Sequence, residues 1–373
     1  MIGPSVWIEV DLASLARNVR AFRRGLRHAG SAIMAIIKDD AYGLGMPAVA
    51  RRLWREGVRA YGVASAQEAL ALRGVLPRAT ILVLGCVHPS ALPGLVRARV
   101  RLTLSSPEDV RQAARAARHG RAIAHLKIDT GMGRLGVWHE DCDALFAAVR
   151  AAAGRIEVEG IYTHLSHADA ADERPTTVQL WRYRRALARA ACWGLKPKLL
   201  HAANSAGSLR FAALRLDVVR PGLVLHGIDP MGRGLSREYR PVATWKTRVA
   251  SIKSVGPGRT LSYGGTHRVR RATRIAALPV GYSHGYRVAW SNKASVLIGG
   301  RRCPVVGRVT MDQILVDVGH LKAVRRWQEV VLLGRQGRER IGAEELARWA
   351  GTIPYEVQCG LSARIPRIYK NIR

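Results

Sequence analysis

The sequence predicts an α/β protein: an N-terminal (β/α)8 TIM barrel over residues 1–235, followed by a smaller, mostly β C-terminal domain over residues 236–373. Three observations lead there. Short β-branched runs alternate with Ala/Arg/Leu-rich helical stretches through the first two-thirds of the chain, which implies parallel strands joined by crossover helices. No G-x-G-x-x-G follows a first strand, which weighs against the competing topology, an open doubly wound sheet. After about Pro230 the helical stretches give way to β-patterned runs punctuated by turn residues.

The strand runs, in order, are Ile33–Ile37, Tyr61–Ala64, Thr80–Leu84, Val100–Leu104, Ile123–Ile128, Val158–His164, Lys198–Ala203 and Leu216–Val219. Between them Met46–Glu56, Ala66–Arg73, Pro107–Ala117, Asp143–Ala153 and Thr177–Trp193 place apolar residues at helical spacing. Eight such units in roughly 200 residues match a closed barrel. Met231–Arg240, rich in Gly, Arg and Ser, reads as a linker. Beyond it lie the β runs Thr247–Val255, Arg274–Pro279, Ala294–Ile298, Val305–Val309 and Ile314–Val318, with Gly299-Gly300 as a hairpin turn and Gly342–Ala350 as a late helix.

Sixty Lys+Arg against 27 Asp+Glu give a net charge of +33 in 373 residues. That excess fits a nucleic-acid binder, but it is spread over both domains with no long basic tail and no nucleic-acid motif, so a solvated basic surface is the simpler account. The five cysteines are scattered, odd in number and form no C-x-x-C pair, which excludes a disulfide framework and a thiolate zinc site. No metal site is expected. Glu9 and Asp11 interrupt the start of the chain where a secretory leader would be apolar, and no apolar stretch approaches the ~20 residues of a membrane span. A cytoplasmic protein without membrane attachment is expected.

In such a barrel chemistry gathers at the C-terminal ends of the strands. There the sequence places Lys38, Lys127 to Arg134, Thr163-His164, His201 to Ser205, and Asp217 to Gly222. Lys38 ends an apolar strand, so a partly desolvated nucleophilic amine is expected. Ser205 and Gly222 can cradle a phosphate, because glycine lets backbone N–H groups approach an anion. Arg220 can meet a ring nitrogen. A lysine, a phosphate cup and a partner for a pyridine nitrogen are what pyridoxal phosphate (PLP) chemistry requires. Taken singly, each residue has a plainer reading. Lys38 reads as a strand-end lysine facing water, Tyr263 as a surface or half-buried tyrosine, His164 and His201 as satisfied core or rim histidines, Lys127 as paired with Asp129 or solvated, and Met311 as core filling.

The motifs read jointly overturn those plainer readings. They are Ala-Ile-Ile-Lys-Asp-Asp-Ala-Tyr-Gly-Leu-Gly (35–45), Lys-Ile-Asp-Thr-Gly-Met-Gly-Arg-Leu-Gly (127–136), Gly-Ile-Tyr-Thr-His (160–164), His-Ala-Ala-Asn-Ser (201–205) and Arg-Pro-Gly (220–222). In the second domain they are Leu-Ser-Tyr-Gly-Gly-Thr (261–266), Val-Gly-Tyr (280–282), Val-Gly-Arg-Val-Thr-Met-Asp-Gln (306–313) and the run 355–369. With these in order along nearly its whole length, the chain resembles the alanine racemase family, the barrel-type (fold type III) PLP enzymes.

The resemblance implies a PLP-dependent isomerase that interconverts L- and D-alanine by a two-base mechanism and supplies D-alanine for peptidoglycan. Lys38 would carry the cofactor and act as one base, and Tyr263 would be the other, on the opposite face of the substrate Cα. Arg220 would contact the pyridine nitrogen. Tyr42, Ser205, Gly222, Leu223 and Tyr355 would hold the phosphate. Arg134 would bind near the cofactor phenolic oxygen and the substrate carboxylate, oriented by Lys127, which is carbamylated in many relatives. His164 would hydrogen-bond Tyr263. Met311 and Asp312 would line the substrate site, with Tyr282 at its mouth. The partner implied is a second copy of the chain, in a head-to-tail homodimer with shared active sites. Four positions depart from the common family pattern: Leu44 for His, His226 for Tyr, His284 for Asp and Gly265 for Ala. His284 bears on substrate range, so a broader, serine or basic amino acid racemase stays open. A PLP carrier without turnover would lack the second domain. A decarboxylase or aldolase on the same barrel would not need the pairing of Tyr263 with Lys38.

Overall fold

The computed structural model describes residues 3–26, 29–118, 120–232 and 234–372; Arg233, inside the expected linker, lies outside the described residues. The chain forms two compact units. One gathers Asn18–Ala41 and Met46–Leu225, the other Met1–Arg17, Tyr42–Gly45 and His226–Arg373.

The first unit is the barrel. Its parallel strands are Ala32–Ile36, Ala60–Val63, Thr80–Val83, Leu102–Leu104, Ala122–Asp129, Ile156–Tyr162, Leu199–His201 and Val218–Val219. The eighth pairs with the first, the first with the second and the second with the third, while the fourth to seventh pair in sequence. A bridge between Leu82 and Arg101 links the third strand to the approach of the fourth. The Arg220 amide, donating to Ala203 O at 2.9 Å, links the eighth to the seventh and closes the ring. Ala122–Asp129 is buried at every position, as expected of a strand covered on both faces. The helices lie where the periodicity puts them. Met46–Arg55 buries Met46, Val49, Ala50 and Leu53, a single apolar stripe. Ser65 and Ser106 cap their helices by accepting from Glu68 N and Asp109 N at 3.2 and 3.1 Å, each cap contributing about 1 kcal/mol.

The second unit is built on a seven-stranded sheet, whose main path runs Arg301–Pro304, Ser295–Ile298, Glu329–Gln336, Ala243–Arg248, Val6–Asp11, Arg367–Lys370. A linear cut at residue 235 therefore does not follow the contacts. Val6–Asp11 hydrogen-bonds antiparallel to Ala243–Arg248 and parallel to Arg367–Lys370, and this pairing draws the N-terminus into the C-terminal unit. The run expected over 247–255 is divided into Ala243–Arg248 and Ser251–Val255, which belong to different sheets. Gly299 and Gly300, at φ 59° and 74°, make the expected hairpin turn. The strand expected over 305–309 reduces to a bridge from Val305 to Val316, and the chain continues as a loop toward Met311. Among the described residues no helix is long and apolar enough to cross a membrane.

Candidate active site

The first barrel strand delivers Lys38 into a helical turn, Lys38–Gly43, of the opposite hand to an ordinary helix. Asp39, Asp40, Ala41 and Tyr42 have φ of 54°, 53°, 56° and 55°, and Gly43 follows at 79°. Each non-glycine residue in this conformation costs roughly 1–2 kcal/mol, so four in succession persist only when neighbours hold them. Glu68 is one such neighbour. Its Oε1 accepts from Asp39 N at 2.5 Å and its Oε2 from Ala64 N at 2.8 Å. Asp40 Oδ1 accepts from Met46 N at 2.7 Å on the far side. Lys38 itself is half-buried: its side chain is 41% exposed, with Nζ 3.5 Å from Asp39 Oδ2.

Arg220, at the end of the eighth strand, is 3% exposed. Nη1 donates to His201 Nδ1 at 2.9 Å, and Nη2 donates to Thr163 O at 2.8 Å and Ala202 O at 3.0 Å, with His164 Nδ1 3.3 Å away. Among the described residues no carboxylate forms an ion pair with it. Burial pulls its pKa down to about 10. Tyr162 packs beneath, its ring 5.3 Å from the guanidinium carbon and 5.0 Å from Lys127 Nζ. Burial, aided by Arg220 and Arg134 and opposed by Asp129, lowers the Lys127 pKa to about 7. Among the described residues Lys127 and Asp129 do not form an ion pair, and Lys127 is buried rather than solvated, so neither plain reading of Lys127 holds. The Asp129 carboxylate instead accepts from Gly131 N, Met132 N and Arg134 N at 2.8, 2.9 and 3.1 Å, folding the loop that carries the exposed Arg134. Gly136 completes that loop at φ 118°, where a Cβ would lie 2.8 Å from Asp129 N. Burial, then Arg220 and Lys127, push the His164 pKa well down, so the ring is neutral.

Ser205 opens the helix Ser205–Arg210, and its buried Oγ accepts from Gly222 N at 2.9 Å. Asn204 caps the same helix through Gly207 N at 2.8 Å, and Leu223 begins a 3-10 turn directly after Gly222. Backbone N–H groups at the start of both turns thus sit beside a hydroxyl, a donor set suited to an anion.

The remaining expected residues belong to the second unit. Tyr42 is buried, edge-on to His226 at 5.3 Å and tilted toward Tyr355 at 6.1 Å. His226 is held by Gln358 Nε2 at 2.6 Å, and burial lowers its pKa to about 4. Leu44 is fully buried. Tyr263 stands on the 3-10 turn Tyr263–Gly265 and is 71% exposed. Tyr282 N and Ser283 N donate to Thr310 O and Met311 O, both at 3.0 Å, and Ser283 Oγ donates to Asp312 Oδ1 at 2.8 Å. Tyr282, Met311 and Asp312 are thereby gathered on two bonded loops. His284 Nδ1 accepts from Gly281 N at 3.3 Å inside the same cluster.

The sequence reading missed Glu68, Tyr162, His125 and Glu159. His125 carried a signal: two residues before Lys127 on one strand, it shares that residue's face.

A closed barrel thus carries an amine, a buried guanidinium, a hydroxyl and backbone N–H groups at the ends of its strands, a donor-rich set of the kind that suits an anionic ligand. The comparisons with known proteins agree on the family. The family "Alanine racemase, N-terminal domain" matches residues 10–230, and "Alanine racemase, C-terminal domain" matches residues 242–369. The alanine racemase of Symbiobacterium thermophilum is 43% identical over 366 residues, covering 97% of this chain and 96% of that protein. The solved alanine racemase of Streptomyces coelicolor A3(2) superposes with a TM-score of 0.95 at 34% identity, covering 98% of each chain. The alanine racemase of Bartonella henselae, solved with covalently bound pyridoxal phosphate, gives a TM-score of 0.90 at 27% identity, covering 99% of this chain and 100% of that one. The chain belongs to the alanine racemase family.

Proposed function

We propose that this chain is a PLP-dependent alanine racemase whose two proton-transfer groups are Lys38 and Tyr263. The observation that carries the reading is Arg220: a fully held, donor-only cation at a barrel mouth that also bears Lys38, Ser205 and Gly222. The donor set fits PLP. Ser205 Oγ, the N–H groups of Gly222 and Leu223, and the phenols of Tyr42 and Tyr355 would hold its phosphate. Arg220 would donate to its ring nitrogen, and Lys38 would carry it. Bound there, PLP supplies an electron sink that acidifies the amino acid Cα–H.

Lys38 then moves a proton at Nζ on one face of Cα and Tyr263 at Oη on the other. Inversion needs one such group per face. Arg220, still a cation at neutral pH with its pKa near 10, would donate a hydrogen bond to the ring nitrogen without giving up its proton, an arrangement that would disfavour transamination. Arg134 binds the substrate carboxylate. Lys127, with a pKa near 7, offers a neutral amine that adds to CO2: the N–C bond forms as one C=O π pair moves onto oxygen, the nitrogen loses a proton to solvent, and the resulting carbamate anion orients Arg134. Tyr282, Met311 and Asp312 line the substrate approach.

The active assembly is a head-to-tail homodimer in which Tyr263 of one subunit serves the barrel of the other. The exposure of Tyr263, Tyr282 and Met311 supports this, because large apolar groups left in water commonly mark an interface. The test is incubation of PLP-loaded protein with a panel of L-amino acids in D2O, reading chirality and α-deuterium together. L-Alanine should racemise with deuterium incorporated at Cα. Retention of configuration throughout the panel overturns the reading.

A further inference from the structure

We propose that Glu159 sets the hydrogen-bonding state of Arg220 through a relay of two imidazoles, making it a positioning residue for the barrel mouth. The inference rests on Arg220 facing the cofactor, as proposed above.

The relay is fixed from one end. Arginine carries only donors, so His201 Nδ1, 2.9 Å from Arg220 Nη1, holds no proton. A neutral His201 then carries its proton on Nε2, which lies 2.8 Å from His125 Nδ1 and donates to it. His125 in turn keeps its proton on Nε2, 3.1 Å from Glu159 Oε2. Both rings are fully buried, and burial lowers both pKa values. Glu159 is held ionised, its pKa drawn down to about 2 by His125 and Arg101 against the cost of burial. Arg101 grips both carboxylate oxygens at 2.9 Å.

Two backbone features build this path. The ladder between Ala122–Asp129 and Ile156–Tyr162 pairs Ala124 with Val158 and His125 with Gly160, so Glu159 is the extra residue of a β-bulge. A bulge re-aims a side chain, and here it sends a carboxylate toward a barrel-lining ring. Gly160 leaves the ring its place: a Cβ there would lie 2.6 Å from His125 Nδ1. His201 is further locked by parallel stacking on Tyr162, with centroids 4.6 Å apart.

The consequence concerns charge. A carboxylate placed directly on Arg220 would neutralise it and occupy its donors. Two neutral imidazoles fix its orientation and leave it a full cation. Glu159→Gln breaks the arrangement either way it is turned. With the amide N–H2 toward His125, the relay would require His201 to accept at both nitrogens, which a neutral imidazole cannot do. With the amide oxygen toward His125, the N–H2 faces the donors of Arg101.

The experiment is 15N NMR of histidine-labelled protein, without cofactor and PLP-loaded, with His125 and His201 assigned by single His→Gln variants. The expected native pattern is a pyridine-type Nδ1 and a pyrrole-type Nε2 on both rings at neutral pH. A proton on Nδ1 of either ring, or a doubly protonated ring, overturns the relay even in a fully active enzyme. In Glu159→Gln the His125 and His201 signals should change together, the absorbance of bound PLP should shift, and kcat should fall about tenfold with KM little changed, as for other residues that act through a ligating group. A variant that leaves signals, absorbance and kcat at native values contradicts the proposal. Should the native protein fail to racemise alanine, the reading of function falls, while the tautomer result on cofactor-free protein stands or falls by itself.

Discussion

In the barrel unit Arg220 is 3% exposed with four hydrogen-bond partners, whereas in the second unit Tyr263 is 71% exposed on a three-residue turn. The barrel residues are held by strand ends, by each other and by backbone carbonyls, so a single chain already fixes their geometry. Tyr282, Met311 and Asp312 are gathered by loop-to-loop hydrogen bonds yet, like Tyr263, are left facing water. The contrast teaches that one unit holds its candidate residues rigidly within a single chain, and that the other presents its candidate residues to solvent; the proposed shared site gives both a role.

The largest expected effect tests the cradle. Lys38→Ala should abolish the visible absorbance of bound PLP and lower racemisation by at least ~10³-fold, because no other amine stands at that strand end. Retention of the absorbance would place the cofactor elsewhere. The next tests the exposed side. Tyr263→Phe should cost ~10²–10⁴-fold, measured as α-proton exchange in D2O, and the loss should be greater from one enantiomer than from the other. Equal, small losses from both would remove Tyr263 from the chemistry while leaving the barrel reading intact.

A smaller effect sharpens the electrostatics of the cradle. Lys127 has a folded pKa near 7 against a reference of 10.5. Between those values the unfolded chain binds the extra proton, so stability rises with pH across that window, and the burial cost is fully present below pH 7. The span is on the order of 4 kcal/mol in CO2-free, cofactor-free protein. Lys127→Met should flatten that part of the curve in urea melts taken from pH 7 to pH 10. An unchanged slope would mean that the amine is hydrated.

Much of this was legible in the sequence, for physical reasons that differ by region. The barrel strands announce themselves because burial on both faces demands continuous β-branched runs, and Lys38, His164, Ser205 and Arg220 stand where such runs stop. The left-handed turn over 39–43 was not legible: Asp39, Asp40 and Gly43 tolerate it, but Ala41 and Tyr42 give no sign, and the stabilising Glu68 comes from a distant helix. Val6–Asp11 was not read as a strand of the C-terminal sheet, since its partners lie more than 230 residues away. Glu159 was missed because only the bulge reveals where it points.

The central claim is that Lys38 of one subunit and Tyr263 of another make one site. It is tested most directly by co-expressing Lys38→Ala and Tyr263→Phe chains and measuring alanine racemisation by the purified mixture. A shared site predicts recovery of about a quarter of the wild-type rate, since half of the dimers are mixed and one of their two sites carries both groups intact. A mixture no more active than the variants alone would contradict it.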